Sequence, residues 1–414
     1  MFRIRFPLLL LAAGWLTGCG GVHYHLAQTP AVHDPQFRQA MSYVVGPPMV
    51  ASNHVAALLN GEQIFPAMLA SIRGAQKTVC LESYIFWSGR VGREFTDALI
   101  ERARAGVRVH MLLDWLGSGG IESLYLDQLR QAGVEVEKYN PLVWYRLGRL
   151  NHRDHRKLLI VDGRVGYTGG AGIADLWAGR GEAPEHWRDT QFRVEGPAVA
   201  QMQSVFLENW MKTTRRVLTG EEYFPELAPA GGMEAHLLSS TPREGVENMR
   251  LLYLLAFAGA RHHIRLSAAY FVPGRQLIDA LVDARRRGVE VEIIVPGQHF
   301  DHAFVRDASR SQWGKLLAAG VQFYEYEPAM YHCKVTIVDD VWVSVGSANF
   351  DSRSFRLNDE ANLNVYSADF AREQIRIFEE DKQRSHPVTE AEWRGRSWWR
   401  RFREAITVPF HSQL

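Results

Sequence analysis

Residues 155–162 read His-Arg-Lys-Leu-Leu-Ile-Val-Asp, and residues 332–339 read His-Cys-Lys-Val-Thr-Ile-Val-Asp. Both fit H-x-K-x4-D, and all three fixed positions recur 177 residues on, from 155 to 332, 157 to 334 and 162 to 339. In an extended chain, residues two apart point to the same face. His155 and Lys157 therefore project together while Arg156 turns away, and His332 and Lys334 do the same around Cys333. Brought together across a pseudo-twofold, two such pairs make a site of two imidazoles and two ammonium groups. A phosphate diester suits that set, with each Lys as a compact point charge.

The flanks repeat as well. In the first copy, Leu81–Trp87 reads as a strand, Val91–Ala105 as a helix ended by Gly106, and Val107–Asp114 as a strand. A helix over Leu124–Ala132 and a strand over Val134–Tyr139 follow. The second copy gives a strand over Ile264–Val272, a helix over Gln276–Arg287, a strand over Val289–Val295, a helix over Trp313–Ala319 and a strand over Val321–Tyr326. This order predicts an α/β protein of two homologous halves, each a mostly parallel or mixed sheet flanked by helices, with the active site between them on the pseudo-twofold. The halves are set at 51–217 and 246–392, joined by a helix over Val194–Val217 and a loop-rich linker over 218–245. Ligands in such sheets sit beyond the carboxyl ends of strands, so the loops after Asp114 and Val295 point at the site.

A Gly turn follows each motif, Gly169-Gly170-Ala171-Gly172 and Gly346-Ser347-Ala348-Asn349. Such turns let backbone N–H groups and small polar side chains approach phosphate oxygens, which nominates Gly170, Ser347 and Asn349. Asp189 and Glu360 lie further on, placed to hydrogen-bond a His Nδ1, fix its tautomer and raise its basicity.

Composition bounds the partners. The 414 residues carry 47 Lys+Arg against 46 Asp+Glu, a formal charge of +1, which argues against a broad nucleic-acid surface. Only seven of those cations are Lys, and two of the seven are Lys157 and Lys334. Arg is this chain's default cation, so Lys in both motifs marks a position where an ammonium is needed.

The two motifs, with the stretches NHRDHRKLLIVDGRVGYTGGAGIAD, VGSANFDSRSFRLNDEANLNVY, LLDWLGS and GVEVEKYNP, resemble the phospholipase D superfamily and, within it, the bacterial cardiolipin synthase branch. The resemblance runs from about Ala51 to the C-terminus. It implies a transfer of phosphatidyl groups without metal or other cofactor, in two steps through a phosphohistidine. By analogy His155 is the nucleophile and His332 the general acid and base, an order the residues do not fix. The catalytic set carried over is His155, Lys157, Asp162, His332, Lys334 and Asp339, with both Asp read as supports at strand ends. Lys157, Lys334, Ser347 and Asn349 would hold phosphate oxygens. One departure stands out: Gly172 occupies a position where the family often carries Asn.

The implied reaction joins two phosphatidylglycerol molecules into cardiolipin and glycerol. If water resolves the intermediate instead, the protein is a phospholipase D-type phosphodiesterase acting on phospholipids and less so on nucleic acid. A non-catalytic lipid-binding lipoprotein is the third reading, and two intact motifs argue against it.

The ends carry separate signals. Residues 1–19 read as a lipoprotein signal peptide, with Arg3 and Arg5, an apolar run over Phe6–Leu16 too short to span a bilayer, and Leu16-Thr17-Gly18-Cys19 as a lipobox. Acylated Cys19 would place the chain on the bacterial envelope as a membrane-anchored lipoprotein facing the periplasm or exterior, with residues 20–50 as a tether. Cys80 and Cys333 read as buried apolar residues, not a disulfide framework. His152, His186, His262, His263 and His299 lack zinc-type spacing, so no metal site is expected. The C-terminal segment 393–414 begins Trp393–Phe402, WRGRSWWRRF, which reads as a contact to anionic phospholipid and the membrane surface, and Trp144–Arg149 is a similar candidate for lining the lipid entry.

Overall fold

The Gly-Val pair after each helix (Gly106-Val107, Gly133-Val134, Gly288-Val289, Gly320-Val321) marks where a helix stops and an apolar strand begins, and the computed structural model follows that punctuation. It describes residues 23–26, 28–141, 151–241, 247–411 and 413. In the first half the strands are β1 (Val50–Leu59), β2 (Thr78–Ser83), β3 (Arg108–Asp114), β4 (Glu135–Tyr139), β5 (Arg153–Asp154), β6 (Lys157–Val161), β7 (Val165–Gly169) and β8 (Thr190–Glu195). The second half has β9 (Met233–Ser240), β10 (His263–Ala268), β11 (Phe271–Val272), β12 (Glu290–Pro296), β13 (Gln322–Tyr326), β14 (Lys334–Val338), β15 (Trp342–Gly346), β16 (Phe350–Asp351), β17 (Asn358–Tyr366) and β18 (Ser385–Val388).

One half is built β4-β3-β2-β6-β7-β8-β1 and the other β13-β12-β10-β14-β15-β17-β9, with β18 added at the outer edge. The two orders match position for position. In each, three outer strands run parallel and the rest pair antiparallel. β1 and β9 pair with each other, so the halves share one continuous sheet. Three apolar cores accompany it. One lies within each half, and a third, with Phe206, Trp210, Tyr326, Tyr331 and Val345, takes residues from both.

Four differences from the sequence reading have physical reasons. The strand expected over Leu81–Trp87 ends at Ser83, and the one over Ile264–Val272 breaks after Ala268. Beyond those points the chains peel away, Phe86 bridging to Ile173 and β11 pairing with β16, which carries Tyr84 and Tyr270 toward the site. The expected linker contains β9, a strand at the sheet centre; its Pro- and Gly-rich flanks hid a short buried run. The helix expected from Val194 starts at Ala198, because Val194 and Glu195 finish β8. The expected tether is not a free segment: Phe37, Met41 and Val45 are buried in the second-half core, and Phe37 meets the ring of Trp342 edge-on.

Candidate active site

Each motif His sits just before a buried strand, where the chain has left the ladder but keeps its alternation. His155 N–H donates to Asp359 O at 2.9 Å, and His332 N–H to Arg188 O at 2.7 Å, so each motif is fastened to the opposite half. The turned-away residues find partners behind the site. Arg156 donates to Val205 O and to Glu208 Oε2, both at 2.7 Å, and Cys333 is buried.

The orienting carboxylates are exchanged between halves. His155 Nδ1 lies 2.9 and 3.0 Å from the Glu360 oxygens, and His332 Nδ1 lies 2.7 Å from Asp189 Oδ2. With Nδ1–H donated to a carboxylate, each Nε2 is the unprotonated ring nitrogen, and that of His332 has Lys334 Nζ 3.1 Å away. Glu360 also accepts from the Ser347 hydroxyl at 2.6 Å and from Asn358 Nδ2 at 3.2 Å. Asp189 accepts from Trp177 Nε1 and Thr190 N–H, each at 2.8 Å. Both carboxylates are buried and fully engaged, so they hold fixed positions.

Burial dominates the charges. It pushes His155 and His332 each down to about 4, with the nearby Lys adding to the fall and the carboxylates opposing it. It pulls Lys157 down to about 7, against Glu360, and lowers Lys334, against Asp189. Burial favours a neutral Glu360, but His155, Lys157 and Ser347 outweigh it and hold the carboxyl at about 2; His332 and Lys334 likewise keep Asp189 low. Lys157 Nζ donates to His155 O at 2.8 Å, and Lys334 Nζ donates to His332 O at 2.7 Å while lying 3.1 Å from both ring nitrogens of His332.

His155, Lys157 and His332 open into one cavity of about 730 Å³, with Asn349 also in its wall. Asn349 lines the cavity, where its amide NH2 is the group able to donate to a phosphate oxygen. Two of the residues expected to contact phosphate have protein partners in the structure. Ser347 directs its hydroxyl at Glu360, and Gly170 donates its N–H to Thr190 O at 3.2 Å. Gly170 matters for another reason, since a Cβ there would stand 2.2 Å from Asp189 Oδ1. Gly172 is equally a packing position. A Cβ would meet the Trp177 ring at 2.9 Å, so the indole occupies the space an Asn would need.

Asp162 and Asp339 lie away from the chemistry. Both have left-handed backbone, with φ of 52° and 49°. Asp162 accepts from the N–H groups of Gln76, Lys77 and Thr78, and Asp339 from those of Arg261, His262 and His263, all within 3.0 Å. Asp162 thus pins the start of β2 and Asp339 the start of β10, the strands that pair with β6 and β14.

Sequence reasoning missed the aromatic wall. Tyr84 meets the His155 ring edge-on at 5.0 Å, while Trp177, Trp187 and Tyr270 surround His332 at 5.5, 5.0 and 6.2 Å. These residues lie in loops with no periodicity, and no sequence signal marks them. It also missed Arg188, whose guanidinium grips Asp381 through two 3.0 Å bonds across the halves. Arg153, two residues before His155 and on the same face, was open to the alternation rule. Among the described residues no group of His, Cys, Asp and Glu is arranged to hold a metal ion. Trp144–Arg149 and Cys19 lie outside the described residues.

Two His-x-Lys pairs, each His held by a carboxylate of the other half, define a phospholipase D-type site for phosphodiester transfer. The chain belongs to the cardiolipin synthase, PLD-like domain family, whose model matches residues 68–210 and 253–382. It is 36% identical over 358 residues to the major cardiolipin synthase ClsA of Bacillus subtilis, covering 86% of this chain and 74% of that protein. It is also 36% identical over 336 residues to cardiolipin synthase A of Pseudomonas syringae, covering 80% and 69%. A solved phosphatidylserine synthase of Haemophilus influenzae shares the fold, with a TM-score of 0.69 at 15% identity over 91% of this chain and 96% of that one.

The comparisons overturn the expected localisation. The relatives named above are cardiolipin synthases, and the family match starts at residue 68, beyond residues 1–19. Two Arg, a short apolar run and a Cys are a low-information pattern, and the envelope lipoprotein anchored through Cys19 is withdrawn. No helix among the described residues is long and apolar enough to cross a membrane.

Proposed function

We propose that the protein is a cardiolipin synthase-type phosphatidyltransferase that joins two phosphatidylglycerol molecules into cardiolipin and glycerol. The observation that carries this reading is the pair of crossed dyads, His155–Glu360 and His332–Asp189, opening into one cavity whose wall includes Tyr84, Trp177, Trp187 and Tyr270. One imidazole Nε2 attacks phosphorus and forms a P–N bond, while the P–O bond to the headgroup glycerol breaks. The other imidazole, protonated, gives its proton to the departing oxygen. It then takes the proton of the incoming hydroxyl as that oxygen attacks phosphorus and the P–N bond breaks. Glu360 and Asp189 stabilise the imidazolium each partner becomes, and Lys157, Lys334 and Asn349 hold the non-bridging oxygens. The arriving diester brings negative charge to a site whose own cations suppress protonation, so substrate binding raises the pKa of the acid when it is needed.

Lipid substrates require approach to a bilayer. The helix Trp398–Thr407 exposes Trp398, Trp399, Phe402 and Ile406 amid Arg residues. It packs on the helix Ala303–Ser311, where Phe410 meets Phe304 next to the cavity residue Val305. This supports a lipid-facing surface at the cavity mouth.

The test is incubation of purified protein with phosphatidylglycerol vesicles and separation of the lipid products. Cardiolipin and free glycerol from wild type, and neither from His155→Ala or His332→Ala, are expected. Phosphatidic acid alone would make the protein a hydrolase.

A further inference from the structure

The two halves repeat the His-x-Lys pairs but not what surrounds them. The residue before the first pair on the same face is Arg153, and its counterpart 177 residues on is Met330. Conversely, Arg353 beyond the second Gly turn corresponds to Leu176 beyond the first. That correspondence holds in the fold, since Ile173 and Phe350, three residues before each, make the equivalent parallel bridges to Phe86 and Phe271. The pseudo-twofold therefore places both guanidinium groups on one flank of the cavity. β5, carrying Arg153, pairs with β17 of the other half, and Arg353 Nη2 donates to Asn151 O at 3.0 Å. Arg153, Arg353 and Tyr84 line the cavity near His155, whereas Leu176, Trp177 and Trp187 line it near His332.

Arg153 is 6% exposed, yet its Nε and Nη1 are buried without a hydrogen-bond partner. A guanidinium left this way is costly unless an anion meets it. No carboxylate among the described residues bonds either of those nitrogens. Asp114 accepts from the N–H groups of Leu116, Gly117 and Asp154, and Asp351 from that of Ser354. In the reading above Lys157 and Lys334 hold the donor phosphate, so neither answers for a second anion.

We propose that Arg153, assisted by Arg353, seats the phosphodiester of the acceptor lipid, which makes the acceptor an anionic phospholipid and not a neutral alcohol. This deepens the reading above and rests on it. The donor brings one phosphate to the two Lys; an acceptor phosphatidylglycerol brings a second, three carbons from its attacking hydroxyl, and the two repel. A planar fork two residues from the motif His fits a diester oxygen pair at that reach.

The experiment offers vesicles of phosphatidylglycerol together with ethanol and reads the ratio of cardiolipin to phosphatidylethanol. Arg153→Gln is expected to lower that ratio about tenfold, equivalent to about 1.4 kcal/mol, and Arg353→Gln to lower it less. Arg153→Lys, which keeps the charge without the fork, is expected between wild type and Arg153→Gln, and carries the test if Arg153→Gln does not fold. An unchanged ratio, whatever the total rate, overturns the proposal. Wild type that forms phosphatidylethanol but no cardiolipin would instead remove the underlying reading, and that is seen before any variant is made.

Discussion

Glu360 stands 205 residues after His155, and its Oε1 lies 2.9 Å from His155 Nδ1. Asp189 makes the reciprocal contact to His332 at 2.7 Å. Neither half holds a complete dyad, so the halves cannot act singly. The exchange predicts that Glu360→Gln and Asp189→Asn each lower turnover about 10²–10⁴-fold, because an amide leaves the imidazole in the wrong tautomer. Initial rates of cardiolipin formation measure it. A loss under about fivefold in a folded variant would contradict the positioning role.

The pH profile follows from burial. The free site has His155 and His332 near 4 and Lys157 near 7. kcat/KM should fall below about pH 4, as the nucleophilic imidazole becomes protonated, decline above it as the acid imidazole loses its proton, and fall more steeply above about pH 7, as Lys157 loses its charge. In Lys157→Arg the added steepness above about pH 7 should vanish at reduced rate, because Arg keeps its proton. A wild-type profile flat to pH 9 would rule Lys157 out as the titrating group.

Gly172→Asn restores the residue common in the family's turn and is nonetheless expected to harm this protein. The new Cβ would stand 2.9 Å from the Trp177 ring, and Trp177 holds Asp189. Overpacking of this kind costs about 1–3 kcal/mol. Thermal unfolding should show the loss, and Trp177→Ala in the same chain should recover part of it.

Asp162→Ala and Asp339→Ala each leave three backbone N–H groups without their acceptor. A loss of about 2 kcal/mol in chemical denaturation is expected from each. Turnover per folded molecule should fall far less than in His155→Ala. Equal falls would return these Asp to the chemistry.

Serine at Trp398, Trp399 and Phe402 together should weaken sedimentation with phosphatidylglycerol vesicles several-fold, since all three rings are exposed. Neutral phosphatidylcholine vesicles should bind less well than anionic ones, given the Arg residues between the rings. Unaltered vesicle binding would show that this helix does not face the lipid.

The sequence by itself determined the repeat, the pairing of His with Lys and the strand-helix order, because alternation, helix periodicity and Gly stops are local. It nominated Asp189 and Glu360 without assigning either to a His. It did not reveal the protein partners of Ser347 and Gly170, since a Gly turn has the same letters whether it binds a ligand or packs against a carboxylate. Tertiary structure decided the exchange of dyads, the Trp177 ring filling the space at Gly172, and the buried β9 inside an apparent linker. Each depends on contacts between residues far apart in the chain, and no local pattern encodes such contacts. The same holds for the asymmetry of the cavity. Arg153 is legible as one residue of an alternating run, but its buried, unpartnered guanidinium exists only once both halves close around it.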